Sequence, residues 1–212
     1  YAVPPLGELR FKAPLPIKPW TDVRDATHAP NTCVQVLVSD ERFAHWNPKT
    51  ALSEDCLYLN VWVPKSVRQS GNASAMIWIH GGGYSSGSSV LDLYDPAHLS
   101  ASMDIIVASL NYRVGSLGFL WLNSTEAPGN MGLLDQQLAL KWIKDNVEYF
   151  GGDPDKLTIF GESAGAGSAS YHLISPTSKH LSRRFILQSG CATAPWSFQT
   201  PEEAKDMALR LV

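Results

Sequence analysis

The 212-residue sequence has no apolar run near the roughly 18 residues that suggest a membrane span. Neither sign of charge dominates, with 17 basic residues against 20 acidic and a formal net charge of −3. That balance argues against a nucleic-acid partner and against a basic membrane-binding face. Internal repeats and low-complexity tracts are absent, which excludes a repeat architecture and leaves one domain or a large piece of one. Cysteine is scarce: Cys33 and Cys56 enclose a loop that can close as a disulfide, and Cys191 is left over. Cys191 reads as a buried free thiol, with pairing to a cysteine outside this chain as the alternative. An initiating Met is also lacking. The chain opens at Tyr1-Ala2-Val3-Pro4-Pro5 and closes inside a helical pattern, so it is expected to be a fragment truncated at both ends, and its missing signal peptide says nothing about targeting. Two N-glycosylation sequons, at Asn72 and Asn123, join the cysteine pair in pointing to the secretory route.

Proline-rich residues 1–30 have little periodicity and read as an extended, wrapping segment. Residues 31–53 read as an irregular loop exposing Phe43 and Trp46. Apolar runs predict strands over 57–63, 76–79, 105–110, 157–160 and 185–187. Between 129 and 150 the period becomes helical: Leu134, Leu138 and Trp142 stand four apart, Leu140, Ile143, Val147 and Phe150 extend the stripe, and Lys141, Lys144, Asp145 and Glu148 face away. A further helix is expected from Ser163 to about Leu173. Strands alternating with helices imply an α/β class with a mostly parallel sheet.

Two glycine-rich stretches carry chemistry. Residues 158–167, Thr-Ile-Phe-Gly-Glu-Ser-Ala-Gly-Ala-Gly, run from an apolar strand through G-x-S-x-G into a helix of small residues. This is the strand–turn–helix context of a nucleophile elbow, which holds the serine in a strained conformation with its Oγ clear of the sheet. Gly161 and Gly165 flank Ser163 because a Cβ at either place would crowd neighbouring backbone. Residues 76–84, Met-Ile-Trp-Ile-His-Gly-Gly-Gly-Tyr, read as a strand opening into an HGGG-type loop. The amides of Gly82, Gly83 and Ala164 are the expected oxyanion donors. His80 precedes that loop, and triad order on such a fold is serine, acid, then histidine, so His80 is expected to be structural.

With both stretches placed, the chain resembles the type-B carboxylesterase/lipase family and, within it, the cholinesterases. Further carriers of the resemblance are residues 54–60, Glu-Asp-Cys-Leu-Tyr-Leu-Asn, and residues 150–154, Phe-Gly-Gly-Asp-Pro. The resemblance covers essentially the whole chain and implies an α/β-hydrolase fold, with residues 1–212 the N-terminal portion of a single catalytic domain. It implies a Cys33–Cys56 disulfide and an Arg10–Glu54 salt bridge. Trp46, in Trp46-Asn47-Pro48, is similar to the tryptophan that holds the choline ammonium. Trp196, in Ala194-Pro195-Trp196, is similar to the invertebrate acyl-pocket tryptophan. Glu162 matches the buried carboxylate near the cation, and Tyr112 a gorge-wall tyrosine. Val36 and Ser85 depart from the pattern where aromatic residues are common, which leaves Asp40 as the candidate acidic residue at the entrance.

The implied activity is hydrolysis of a choline ester, acetylcholine to choline and acetate, through an acyl-Ser163 intermediate. The implied setting is outside the cell, secreted or at the surface, with an oligomer or anchor formed through other regions. That chemistry calls for neither metal nor cofactor. Its acid and base are implied to follow residue 212, so this chain alone is expected to be inert. A broad carboxylesterase and a non-catalytic, neuroligin-like adhesion protein are the rival readings. Trp46 and Trp196 speak against the first, and retention of Ser163, Gly82, Gly83 and Glu162 against the second.

Overall fold

The computed structural model describes residues 1–68 and 71–211. Strands β1 (Thr32–Cys33) and β2 (Leu52–Ser53) form a small parallel pair. Strands β3 (Leu59–Trp62), β4 (Ala73–Ile79), β5 (Ile106–Leu110), β6 (Gly152–Glu162) and β7 (Arg184–Gln188) form a five-stranded sheet in the order β3-β5-β4-β6-β7. Only β3 runs antiparallel to its neighbour, so the sheet is mostly parallel as the alternating pattern predicts. The helices are α1 (Ala97–Met103), α2 (Gly115–Phe119), α3 (Met131–Asn146), α4 (Ala164–Ile174) and α5 (Pro201–Leu209).

Alternation in β4 puts Ala73, Ala75, Ile77 and Ile79 on a fully buried face. Every residue of β5 is buried, as suits a strand covered on both faces. Helices α3 and α4 pack on the sheet, and the core joins Ile77, Ile79, Leu110, Leu157 and Ile159 to Ala139, Leu140 and Ile143 of α3. Residues 1–30 contain one 3-10 turn, Gly7–Leu9, and are otherwise extended, with Ala2 bridged to Pro16. Cys33 and Cys56 are bonded, with Cα atoms 4.9 Å apart, and closure of that loop stabilises the chain by about 3 kcal/mol in the chain-entropy view. Arg10 pairs with both carboxylate oxygens of Glu54, at 2.5 and 2.7 Å. Asn72 and Asn123 are both exposed.

The buried face of α3 keeps Leu140 and Ile143 of the expected stripe, with Val147 just beyond, and adds two polar residues. Leu134, Leu138 and Trp142 are only partly covered, while Asp135 and Gln136 are fully buried beside Ala139, Leu140 and Ile143. A hydrophobicity count misses them because each polar group is satisfied inside the protein. Arg113 donates to Asp135 from Nε (2.8 Å), from its second guanidinium nitrogen (2.7 Å) and from its backbone N–H (3.0 Å). Gln136 donates to Ser168 Oγ at 3.1 Å and accepts from His172 Nε2 at 3.0 Å. His172 Nδ1 is therefore left to accept from the Ser178 hydroxyl at 3.1 Å. Cys191 is also not where a buried thiol would be: it is half-exposed, unbonded, and within 3.2 Å of Thr193 Oγ1.

Burial holds His172 neutral, pushing its pKa from 6.5 down to about 4, and does the same to His80. The unfolded chain takes up these protons near pH 6.5 and the folded one does not until about pH 4. Their contribution is thus complete above pH 6.5 and lost as pH falls toward 4, on the order of 3 kcal/mol per histidine. Urea midpoints of the full-length protein should accordingly drop between pH 7 and pH 4.5, and His172→Gln should shrink that drop. An equal drop in the variant would contradict the assignment.

Candidate active site

Strand β6 ends at Glu162 and α4 begins at Ala164, so Ser163 is the whole turn between them. Its backbone lies at φ 53°, ψ −120°, left-handed territory that is strained for any residue with a Cβ and costs on the order of 1–3 kcal/mol. Neighbouring elements hold it there. Ser163 N–H donates to Gln188 O of β7 at 2.8 Å, and Ser163 O accepts from Gly167 N–H at 3.0 Å. Beneath the turn, a Cβ on Gly165 would stand 2.0 Å from Ile79 O, and one on Gly161 2.7 Å from the same oxygen. Only glycine at both positions lets α4 approach the end of β4 this closely.

That approach sets the glycine loop beside the serine. A Cβ on Gly81 would lie 3.2 Å from Ser163 Cβ, 2.7 Å from Glu162 O and 3.0 Å from Glu162 Oε2. Gly82 and Gly83 have φ values of 107° and 58°. Gly82 O is tied back by the amides of Ser85 and Ser86, each at 3.0 Å, and by their hydroxyls. Ala164 is the first residue of α4, where leading amides have no intrahelical acceptor. The surroundings therefore suit a developing negative charge next to Ser163.

The carboxylate of Glu162 thus sits against Gly81. Burial first, and then this carboxylate, push the Tyr94 phenol up to about 12. Tyr94 packs on Trp78, which packs on Phe160, at centroid distances of 5.0 and 4.9 Å. Trp196 lies on the far side of Gly190 from the serine backbone: a Cβ on Gly190 would meet Ser163 O at 2.5 Å and the Trp196 indole at 2.9 Å. Trp46 closes the 3-10 turn Glu41–Trp46 of the disulfide loop, against His45 and 42% exposed. Asp40 caps that turn and is engaged by Arg42.

Two histidine and tyrosine positions differ in status. His80 is 1% exposed and its Nδ1 donates to Gly81 O at 2.8 Å, which fixes the tautomer and ties the ring to the start of the glycine loop. Tyr112, expected on the wall, is completely buried. Its ring stacks on His80 at 4.3 Å and its hydroxyl donates to His80 O at 2.9 Å, so it supports the strand end behind the loop. Sequence reading did not identify Gly190, Tyr94 or Gln35. None lies in a recognisable spacing, because each meets the site only through folding.

The chain matches the Carboxylesterase family over residues 1–211. It is 50% identical over 237 aligned residues to an acetylcholinesterase of Leptinotarsa decemlineata, which it covers to 37%. It is 53% identical over 216 residues to an acetylcholinesterase of Electrophorus electricus and 52% over 218 to a cholinesterase of Mus musculus, covering 34% and 36% of them. All of this chain takes part in each alignment, and it spans about a third of the length of these curated relatives.

Gly165→Ala tests the crossing that builds the turn. The methyl would meet strand backbone rather than a side chain able to move, so we expect a loss of about 3 kcal/mol or more, read as a lowered melting temperature. A melt within a degree of the parent would mean that the crossing has slack.

Proposed function

Since the chain belongs to the carboxylesterase family, we propose that it is the nucleophile-bearing part of a single serine-esterase catalytic domain of the cholinesterase type. The contact of Gly81 with Ser163, 3.2 Å from a notional Cβ, is the observation that carries this reading. A strained serine beside a glycine-rich loop suits acyl transfer.

In this reading Ser163 Oγ attacks the ester carbonyl carbon while its proton passes to a base. The carbonyl oxygen becomes an oxyanion received by Gly82, Gly83 and Ala164 N–H, donors worth roughly 2.7–4 kcal/mol each. The base then returns the proton to the departing alcohol oxygen, leaving acyl-Ser163, which water hydrolyses. This reading assigns the base and its orienting acid to the two-thirds of the relatives' length that this chain does not span.

The relatives are named for acetylcholine and choline esters. We read the substrate as a choline ester, with acetylcholine the leading choice. A quaternary ammonium has no N–H to donate, so an aromatic face with a carboxylate nearby is its natural host, and Trp46 and Glu162 are assigned those roles. Trp196, across Gly190 from Ser163, is assigned to the acyl side. The disulfide and the exposed sequon asparagines Asn72 and Asn123 support a secretory, extracellular location.

In the full-length protein, a fluorophosphonate should label Ser163, and Ser163→Ala should abolish both labelling and ester hydrolysis. An unlabelled, inactive parent would favour the adhesion reading. Trp46→Ala removes a cation–π contact worth about 2 kcal/mol, or roughly 30-fold. That loss should fall on acetylcholine and spare its uncharged carbon isostere. Equal losses on both esters would indicate a general carboxylesterase wall.

A further inference from the structure

The glycine loop is fastened at both ends, and one fastening comes from a side chain that no motif includes. At its start, β4 and the Tyr112 hydroxyl hold His80, and Gly115 N–H holds Tyr84 O at 2.7 Å. At its end, Gln35 grips Gly87. Gln35 Nε2 donates to Gly87 O at 2.8 Å, and Gln35 Oε1 accepts from Gly87 N–H at 2.8 Å. The same Nε2 also donates to Cys33 O at 3.0 Å, so the amide is oriented by the backbone next to the disulfide. A flipped amide would set like against like at all three contacts.

Gly87 in turn abuts the opening of the loop. Its φ is 112°, and a Cβ there would lie 2.3 Å from His80 Nδ1 and 2.5 Å from Gly81 O. The Gly87 backbone therefore lies close against the His80 ring and the Gly81 carbonyl, and the intervening residues 82–86 form a closed turn tied at Gly82 O. A shift of Gly87 displaces both ends of that turn together. A second tie, the buried Thr32 Oγ1 to Ser88 Oγ contact at 2.9 Å, fixes the following residue but leaves Gly87 to Gln35.

We infer that Gln35 is a positioning residue for the oxyanion loop, transmitting the rigidity of the Cys33–Cys56 loop to the amides of Gly82 and Gly83. The inference rests on the esterase reading. Gln35 touches no substrate; it acts by fixing where those donors point. Oxyanion donors must be held to within a fraction of an ångström, so loss of the clamp should cost about 10- to 100-fold in the chemical step.

The test uses the full-length protein with Gln35→Met, which keeps the length and loses both partners of Gly87. Gln35→Glu, which keeps the acceptor but faces a carboxylate toward two carbonyls, serves as the second variant. Active sites are counted by fluorophosphonate titration, so that kcat refers to intact sites. For an uncharged ester, kcat should fall about 10- to 100-fold with KM within about twofold of the parent, and the affinity for a trifluoromethyl ketone, which forms a tetrahedral oxyanion on Ser163, should fall in parallel. An unchanged kcat per titrated site in a folded variant overturns the role of Gln35 and leaves the esterase reading standing. So does a loss confined to KM or to melting temperature. Failure of both variants to fold also overturns it, since the clamp would then support the fold rather than the loop. A parent that neither titrates nor hydrolyses sinks the esterase reading, and this inference with it.

Discussion

The close crossing of α4 over the end of β4 is the constraint on which the other features depend. At that crossing the notional Cβ of Gly165 lies 2.0 Å from Ile79 O, and that of Gly161 is barely farther away. Remove the two hydrogens' worth of room and the helix must lift from the sheet. Ser163 would then lose its carbonyl partner on β7 and the contact with Gly81. The strain at φ 53° persists because a strand on one side and a helix on the other over-determine it.

Around that crossing the protein uses polar atoms as structural parts. Asp135 receives Arg113 in two-pronged fashion, and Gln136 ties α3 to α4 through Ser168 and His172. Buried polar networks of this kind add orientation where apolar packing alone would tolerate sliding. Removing one partner of the buried Arg113–Asp135 pair would leave an uncompensated charge, which is why such pairs are costly to break even when they add little net stability. Tyr112 and His80 behave similarly just past the same end of β4, stacking and hydrogen-bonding beneath the glycine loop.

The disulfide loop has a double part in this arrangement. It carries Trp46 at the surface, and through Gln35 it holds residue 87, while Thr32, just before the loop, holds residue 88. One covalently closed loop thereby borders both the glycine loop and the aromatic residue assigned to the substrate's cation. On the roles proposed above, a change at that boundary would reach the cation-binding aromatic and the oxyanion loop together.

The sequence by itself determined the alternation of strands and helices, the placement of Ser163 at a turn, and the glycines that make the turn feasible. Those are local requirements: a period of two or 3.6, and backbone conformations that only glycine relieves. It also identified the paired cysteines through their resemblance to a family pattern. The tertiary structure alone decided which polar residues are buried, because burial of Asp135 and Gln136 depends on partners at 113, 168 and 172 that no periodicity announces. It alone showed Tyr112 fully buried against His80, since a motif match cannot say which way a ring points. And it alone joined Gln35 to Gly87, 52 residues away, through hydrogen bonds that exist only when the disulfide loop has folded back over the sheet.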